Sequence, residues 1–89
     1  MKEVTIVHND PKIEEELKHM NLQESILVNF IDFGSNKEKS QAYKVMGKWG
    51  ATKVPFITVS EEGKVIKAFY SEAEDVLIEL KNYINDRNA

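Results

Sequence analysis

The residues of this sequence that could carry chemistry are two histidines, scattered acids and Ser71, which lies near a predicted helix start. His8 follows a short apolar run and precedes Asp10 by two positions, so it could act as a general base if that carboxylate oriented its ring. A histidine at the end of a strand is more often a loop or packing residue, and that interpretation is the better supported one. His19 lies near the end of the first predicted helix, where a cationic side chain is favourable.

The sequence lacks the residues that several kinds of chemical site require. The sequence contains no cysteine, which excludes disulfides, thiolate nucleophiles and thiolate metal sites. The two histidines are not spaced for one helix face, so no metal site is predicted. The four glycines are scattered rather than gathered in a phosphate-binding loop, and no cofactor is predicted. Ser71 has no evident base partner and is expected to cap a helix instead.

The charge of the sequence is negative overall and unevenly distributed. A net charge of −3 argues against a nucleic-acid-binding protein. Residues 37–53 contain five lysines and one glutamate, a local net charge of +4. A solvated helix face is the simplest interpretation of these lysines, and an anion-attracting surface is the alternative. No apolar run approaches the roughly 18 residues of a membrane span, and no signal peptide is evident, so a cytoplasmic protein without membrane contact is expected.

The strands that must position these residues are predicted from β-branched and aromatic runs. Such runs occupy residues 4–7, 26–33, 56–59 and 65–70. The 26–33 run is apolar on both alternating faces, which is typical of a central or covered strand. Residues 61–64 have turn composition and join the last two strands into a hairpin.

Three helices are predicted from apolar residues at helical spacing and from residues that cap helix ends. The apolar faces contain Ile13, Leu17 and Met20, then Ala42, Val45, Met46 and Trp49, then Val76, Leu77, Leu80 and Ile84. The starts are marked by Asp10 before Pro11, by Ser35 with Glu38 and by Ser71 with Glu74, the last two being capping-box patterns. The first helix is expected to end near Asn21, the second near Trp49 before Gly50, and residues 86–89 to fray.

The predicted order βαβαββα describes a single α/β domain spanning residues 1–89. Within it, the segment Thr52-Lys53-Val54-Pro55-Phe56, the Gly63 hairpin and the turn over residues 70–75 follow one another at characteristic spacings. With these segments, the sequence resembles the thioredoxin-like fold in its small glutaredoxin-like form, over nearly the whole chain. The resemblance implies a mixed four-stranded sheet with helices on both faces, the hairpin at one edge, and a cis peptide bond before Pro55.

The sequence departs from that family at the position of its redox motif. The family carries C-x-x-C just after the first strand, where this chain has residues 8–13, His-Asn-Asp-Pro-Lys-Ile. Thiol–disulfide exchange requires a thiolate, so thiol–disulfide oxidoreductase activity is excluded. The resemblance therefore implies a redox-inactive member of the family.

The resemblance also implies a binding surface. In thioredoxin-like proteins the backbone before the cis-proline pairs with an extended peptide or with glutathione, by strand addition. Val54 is the matching residue here. Lys53, Ser71 and Glu72 stand where glutaredoxin-like proteins hold the carboxylates and amine of glutathione. The implied surface comprises His8, Asn9, Asp10, Lys53, Val54, Pro55, Ser71 and Glu72.

Three functions remain open from the sequence. The leading one is a non-catalytic module that binds an unknown protein segment at this surface. The alternative is a protein that binds a glutathione-like small molecule, or a weak transferase using a relic glutaredoxin pocket. The third is a structural subunit that works as an oligomer. Every basic residue except Arg87 is lysine, a bias that suits an AT-rich bacterial or phage genome.

Overall fold

The computed structural model describes residues 2–19, 26–72 and 75–88, which form one open four-stranded sheet and three helices. The elements in chain order are β1 (Lys2–His8), α1 (Pro11–Lys18), β2 (Ile26–Asp32), α2 (Lys39–Trp49), β3 (Phe56–Glu61), β4 (Lys64–Phe69) and α3 (Val76–Asn88). The predicted order of strands and helices is confirmed, and the chain has a mixed α/β fold.

The strands lie in the order β2-β1-β3-β4, with β1 parallel to β2 and antiparallel to β3, and β3 antiparallel to β4. The hairpin at one edge of a mixed sheet is therefore confirmed. Residues 26–33 were expected to form a central or covered strand. The strand is not central, because β2 is the other edge, but it is covered in part, since Val28 and Phe30 pack against the core on one face and Ile31 is buried in the core on the other. Leu27 is 49% exposed there, whereas Ile31, at the end of the strand covered by α2, is buried.

Helices cover both faces of the sheet, as predicted. On one face α1 and α3 pack against all the strands around a core that includes Ile6, Leu17, Ile57, Phe69 and Leu80. On the other face α2 packs alone against a smaller core. That second core comprises Val7, Ile31, Ala42, Met46 and Phe56, with Val45, Trp49 and Tyr70 partly buried at its margin.

The start of α1 is built as predicted. The Asp10 carboxylate accepts a hydrogen bond from the Lys12 backbone N–H at 3.0 Å, and Pro11 occupies the first turn, where no donor is needed. The helix ends earlier than expected, at Lys18, with His19 as its C-cap. The predicted inner residue Met20 and the predicted end at Asn21 lie outside the described residues.

Neither predicted capping box forms as expected. Helix α2 begins at Lys39, and the Glu38 carboxylate accepts from the Asp32 backbone N–H instead of closing a box with Ser35. Helix α3 begins at Val76, so Ser71 is too far upstream to cap it; its hydroxyl donates to the Pro55 carbonyl.

The cap of α3 and the end of the chain also differ from the sequence expectation. Asp75 accepts from the Ile78 N–H, the bond that a cap makes. The other half of the predicted box, Glu74, lies outside the described residues. Helix α3 extends to Asn88, over most of residues 86–89, the segment that was expected to fray.

The two predicted chain reversals are confirmed. Gly50 ends α2 with a φ of 70°, and the β3–β4 turn places Glu62 and Gly63 at φ values of 52° and 83°. Such left-handed backbone favours glycine at both sites. Among the described residues no helix is both long enough and apolar enough to cross a membrane.

Candidate binding surface at one end of the sheet

The strand pairings bring three predicted site segments to one end of the sheet. Val7 pairs with Phe56 near the end of β1, and Ile57 pairs with Phe69 at the end of β4. Residues 8–10, 53–55 and 71–72 each continue the chain beyond these pairs. The predicted surface is therefore gathered where β1 and β4 end and β3 begins.

His8 is completely buried at this end of β1. Its Nδ1 accepts from the Asp10 backbone N–H at 3.3 Å, so a neutral ring carries its proton on Nε2. The Nε2 atom lies 3.0 Å from Glu14 Oε2, but no described residue meets it with hydrogen-bond geometry. The ring therefore fixes the entry into α1 and does not itself face a ligand.

The residues next to His8 are accessible. Asn9 and Asp10 are exposed, and one carboxylate oxygen of Asp10 is engaged by the Lys12 N–H. A segment lying across this end of the sheet can therefore meet Asn9 and Asp10 but not the imidazole of His8.

The segment from the last residue of α2 to the start of β3, residues 49–55, is held by three consecutive side chains; we call it the proline loop. The Val54–Pro55 peptide bond within it is cis. Tyr70 donates its hydroxyl to the Trp49 carbonyl at 2.7 Å, and Ser71 donates to the Pro55 carbonyl. These contacts hold both ends of the loop to the chain segment that leaves β4.

Glu72 holds the middle of the proline loop. Its Oε1 accepts from the Thr52 N–H at 2.6 Å and from the Thr52 hydroxyl at 2.5 Å. The Thr52 hydroxyl, and then the backbone N–H groups of Glu72, Thr52 and Lys53, lower the pKa of the Glu72 carboxyl to about 2. The carboxylate is thus ionised and committed to the loop at neutral pH.

The main chain of Val54 lies outside every strand pairing. β3 begins two residues later, and within residues 2–19, 26–72 and 75–88 no backbone hydrogen bond involves Val54. Its side chain is half-buried against the α2-side core, while Lys53 beside it is exposed. Val54 therefore presents an unpaired, positioned peptide unit next to the end of β1.

Direct contacts join only part of the predicted surface. Ser71 donates to Pro55, and Glu72 accepts from Thr52 in the loop, whereas among the described residues no hydrogen bond links residues 8–10 to the loop, and the strand register brings the two segments to the same end of the sheet. Sequence reasoning missed Tyr70 and Thr52 as positioning residues. The signal that could have found them was the run Tyr-Ser-Glu at residues 70–72, three hydrogen-bonding side chains directly after a strand.

The described residues contain no group of three or more acidic or histidine side chains placed to hold a metal ion. Comparison of the sequence with protein-family models and with curated proteins finds no match.

Proposed function

We propose that this chain is a redox-inactive module of thioredoxin-like topology that binds an extended protein segment beside Val54. The observation that carries this proposal is the unpaired main chain of Val54, on a loop held by Tyr70, Ser71 and Glu72. Main-chain groups that are already positioned lose little conformational freedom when a segment pairs with them.

The charges around Val54 indicate what the segment contributes besides its backbone. Lys53 is exposed on one side, and Asn9 and Asp10 are exposed at the end of β1. A segment with an acidic residue near Lys53 and a hydrogen-bond donor near Asp10 complements this arrangement. Such contacts at the rim of an interface govern selectivity more than affinity, so the backbone pairing contributes most of the binding energy.

The small-molecule alternative is less well supported. A glutathione-like ligand requires a free carboxylate to meet its ammonium group, and Glu72 was the residue expected to supply it. Oε1 of Glu72 instead accepts from Thr52 and holds the loop, so this carboxylate is already partly engaged. We therefore place the protein-segment function first and treat glutathione as the competing probe.

The experiment starts from random peptides displayed on phage, selected on the wild-type chain and depleted on the Val54→Asp variant. Enriched peptides are then titrated against the labelled protein, with amide shifts recorded by NMR. The proposal expects shifts at Lys53, Val54 and Asn9, and affinities that fall about tenfold or more for Val54→Asp and several-fold for Lys53→Glu. Lys67→Glu, on β4, is the matched control and is expected to bind normally.

Backbone pairing has its own signature. Methylating the peptide nitrogen at successive positions should abolish binding at alternate residues only, because a strand presents alternate N–H groups to its neighbour. Enriched peptides that bind Val54→Asp as tightly as the wild type would overturn the proposal, as would selection that enriches nothing. Amide shifts at Lys53 and Ser71 on addition of millimolar reduced glutathione, together with no shifts on addition of any peptide, would favour the small-molecule alternative instead.

A further inference from the structure

We propose that the outward face of α2 is a second docking surface, and that its partner is an acidic protein segment. The surface, which we call the α2 outer face, comprises Lys39, Tyr43, Lys44, Gly47 and Lys48. It is separate from the proline loop and does not depend on the function proposed for that loop.

The lysines of this region have no acidic partners within the described chain. None of the five lysines in residues 37–53 forms an ion pair with another described residue. The one nearby acid in the sequence, Glu38, directs its carboxylate to the Asp32 backbone N–H. Lys44 and Lys48 lie one helical turn apart, a spacing at which like charges destabilise a helix. Among the described residues no ion pair compensates this charge, which is therefore unfavourable there and complementary to an anion.

An aromatic platform lies at the start of the same face. Tyr43 is 58% exposed, and its ring packs edge-on against Phe33 with centroids 5.0 Å apart. The Lys39 ammonium lies 5.8 Å from the centre of the Phe33 ring. A large side chain that is this exposed and yet packs on a neighbouring ring is suited to burying a partner's apolar side chain.

Gly47 supplies the third observation. It is exposed within α2, and a Cβ built on it would meet no heavy atom within 4 Å. Its φ is not in the left-handed region, so nothing in the described chain requires glycine there. Glycine inside a helix is unfavourable relative to alanine. Its place one turn after Tyr43, between Lys44 and Lys48, leaves room for a partner backbone to approach α2 closely.

These features favour an acidic protein segment over other anions. The basic residues are lysines, which lack the paired donors with which arginine recognises phosphate. Tyr43 is the only large apolar side chain of α2 that is strongly exposed, so the helix has neither successive rings for stacking bases nor an apolar face for a membrane. The chain's net charge of −3 also disfavours nucleic acid at long range. A segment with two or more acids beside one apolar residue fits the face.

The test is an NMR titration at low ionic strength with a synthetic helical peptide in which glutamates flank a leucine. We expect saturable shifts at Lys39, Tyr43, Lys44 and Gly47, binding that weakens as salt is added, and no binding by the peptide with glutamine in place of glutamate. Lys44→Glu should weaken binding by about tenfold. The control variant Lys67→Glu makes the same charge change on the opposite face of the sheet and should bind normally.

Gly47→Ala separates binding from folding. The variant should melt at a higher temperature than the wild type and yet bind the peptide several-fold more weakly, because its methyl group occupies the space of close approach. Equal binding by the glutamate and glutamine peptides, or no shifts on α2 at millimolar peptide, would overturn the proposal. Tighter binding of oligothymidylate, or of phosphatidylserine vesicles, at the same residues would reassign the face to nucleic acid or membrane.

Discussion

The proline loop and the α2 outer face adjoin each other along the chain but differ in how their polar groups are satisfied. In the loop, the carbonyls of Trp49 and Pro55 and the amide of Thr52 each receive or make a hydrogen bond within the chain. On the α2 outer face, the lysines have no ion-pair partner among the described residues, and Tyr43 is largely exposed. The loop is held by hydrogen bonds within the chain, whereas the helix face makes only surface ring contacts, such as those of Tyr43 with Phe33 and Lys48 with Trp49.

The difference shows which substitutions report on folding and which on binding. A polar group that is hydrogen-bonded inside the chain affects the free energy of unfolding when it is removed. A surface charge without a partner affects it little, or improves it when replaced. Matched pairs of substitutions, one in each region, therefore test whether the two regions differ as described.

The largest contrast is expected between two aromatic rings. Phe56 is completely buried at the end of the proline loop, with its ring 5.1 Å from that of Tyr70. Phe56→Ala should lower the free energy of unfolding by about 3–5 kcal/mol. Tyr43→Ala should lower it by less than about 1 kcal/mol, because that ring is mostly exposed.

Urea unfolding followed by circular dichroism measures both changes. Because Phe56→Ala approaches the whole stability of a small domain, Phe56→Leu provides a milder variant, expected to cost about 1 kcal/mol. If the two substitutions to alanine lowered the free energy of unfolding equally, α2 would depend on its outer face for stability, and the contrast between the two regions would not hold.

A pair of serines gives the next contrast. Ser71→Ala removes the donor to the Pro55 carbonyl and should cost about 1–2 kcal/mol, since an acceptor is left unsatisfied at a part-buried position. Ser40→Ala, on the exposed side of α2, should change stability by less than about 0.5 kcal/mol and toward greater stability, because alanine favours a helix. Thermal melts of both variants give the comparison, and a Ser71→Ala protein as stable as the wild type would show that the loop is held without this bond.

The Glu72 contact predicts a dependence on pH. The pKa of the Glu72 carboxyl is about 2 in the folded protein, against an ordinary value of 4.5 for a glutamate without these hydrogen bonds. The contact therefore stabilises the folded state fully above pH 4.5, and this stabilisation is lost as the pH falls toward 2. The wild type should therefore melt above Glu72→Gln at neutral pH, and the difference should shrink below pH 4.5. A difference that stays constant from pH 7 to pH 2 would show that the charge of Glu72 does not hold Thr52.

Several features of the fold were predictable because they depend on local residue chemistry. Asp10 before Pro11 and Gly50 after Trp49 fix helix ends through capping and left-handed backbone, and the structure bears both out. The failures depend on tertiary contacts. Ser71 precedes Glu74 by three residues, the spacing of a capping box, but its hydroxyl donates instead to the Pro55 carbonyl, which the β3–β4 pairing brings close.

The same limit applies to the candidate sites. The family resemblance placed Val54, Lys53 and Glu72 together, but the Glu72–Thr52 contact spans 20 positions of sequence and has no local pattern. The sequence also did not show that β2 lies at the edge of the sheet, because an apolar run does not reveal whether a strand has one neighbouring strand or two. The lysine excess of residues 37–53 was visible in the sequence, but only coordinates could show that these lysines form no ion pair with the part of the chain that the structure describes.

Two glycines of this region differ in whether the backbone requires glycine. Gly47→Ala should raise the free energy of unfolding by about 0.5–1 kcal/mol, because nothing opposes the new methyl group and alanine favours the helix. Gly50→Ala should lower it by about 1 kcal/mol, because the φ of 70° is strained for alanine although the space is equally open. Chemical denaturation of both variants measures the pair, and a loss of stability in Gly47→Ala would give that glycine a role in the fold.

The smallest expected effect is also the most direct test of the α2 outer face. Lys44→Glu places an acid one turn before Lys48, the favourable orientation for a helical ion pair, and should raise stability by about 0.3–0.5 kcal/mol. Lys44→Gln only removes the repulsion and should give a smaller gain, and high salt should remove the difference between the two variants. Thermal melts of both variants and the wild type at low and at high salt measure these differences in stability. If reversing the charge of Lys44 stabilises the free protein, then folding does not account for a lysine at that position, as the docking proposal expects. If the reversal destabilises it, the lysines are paired in solution and the outer face is part of the fold.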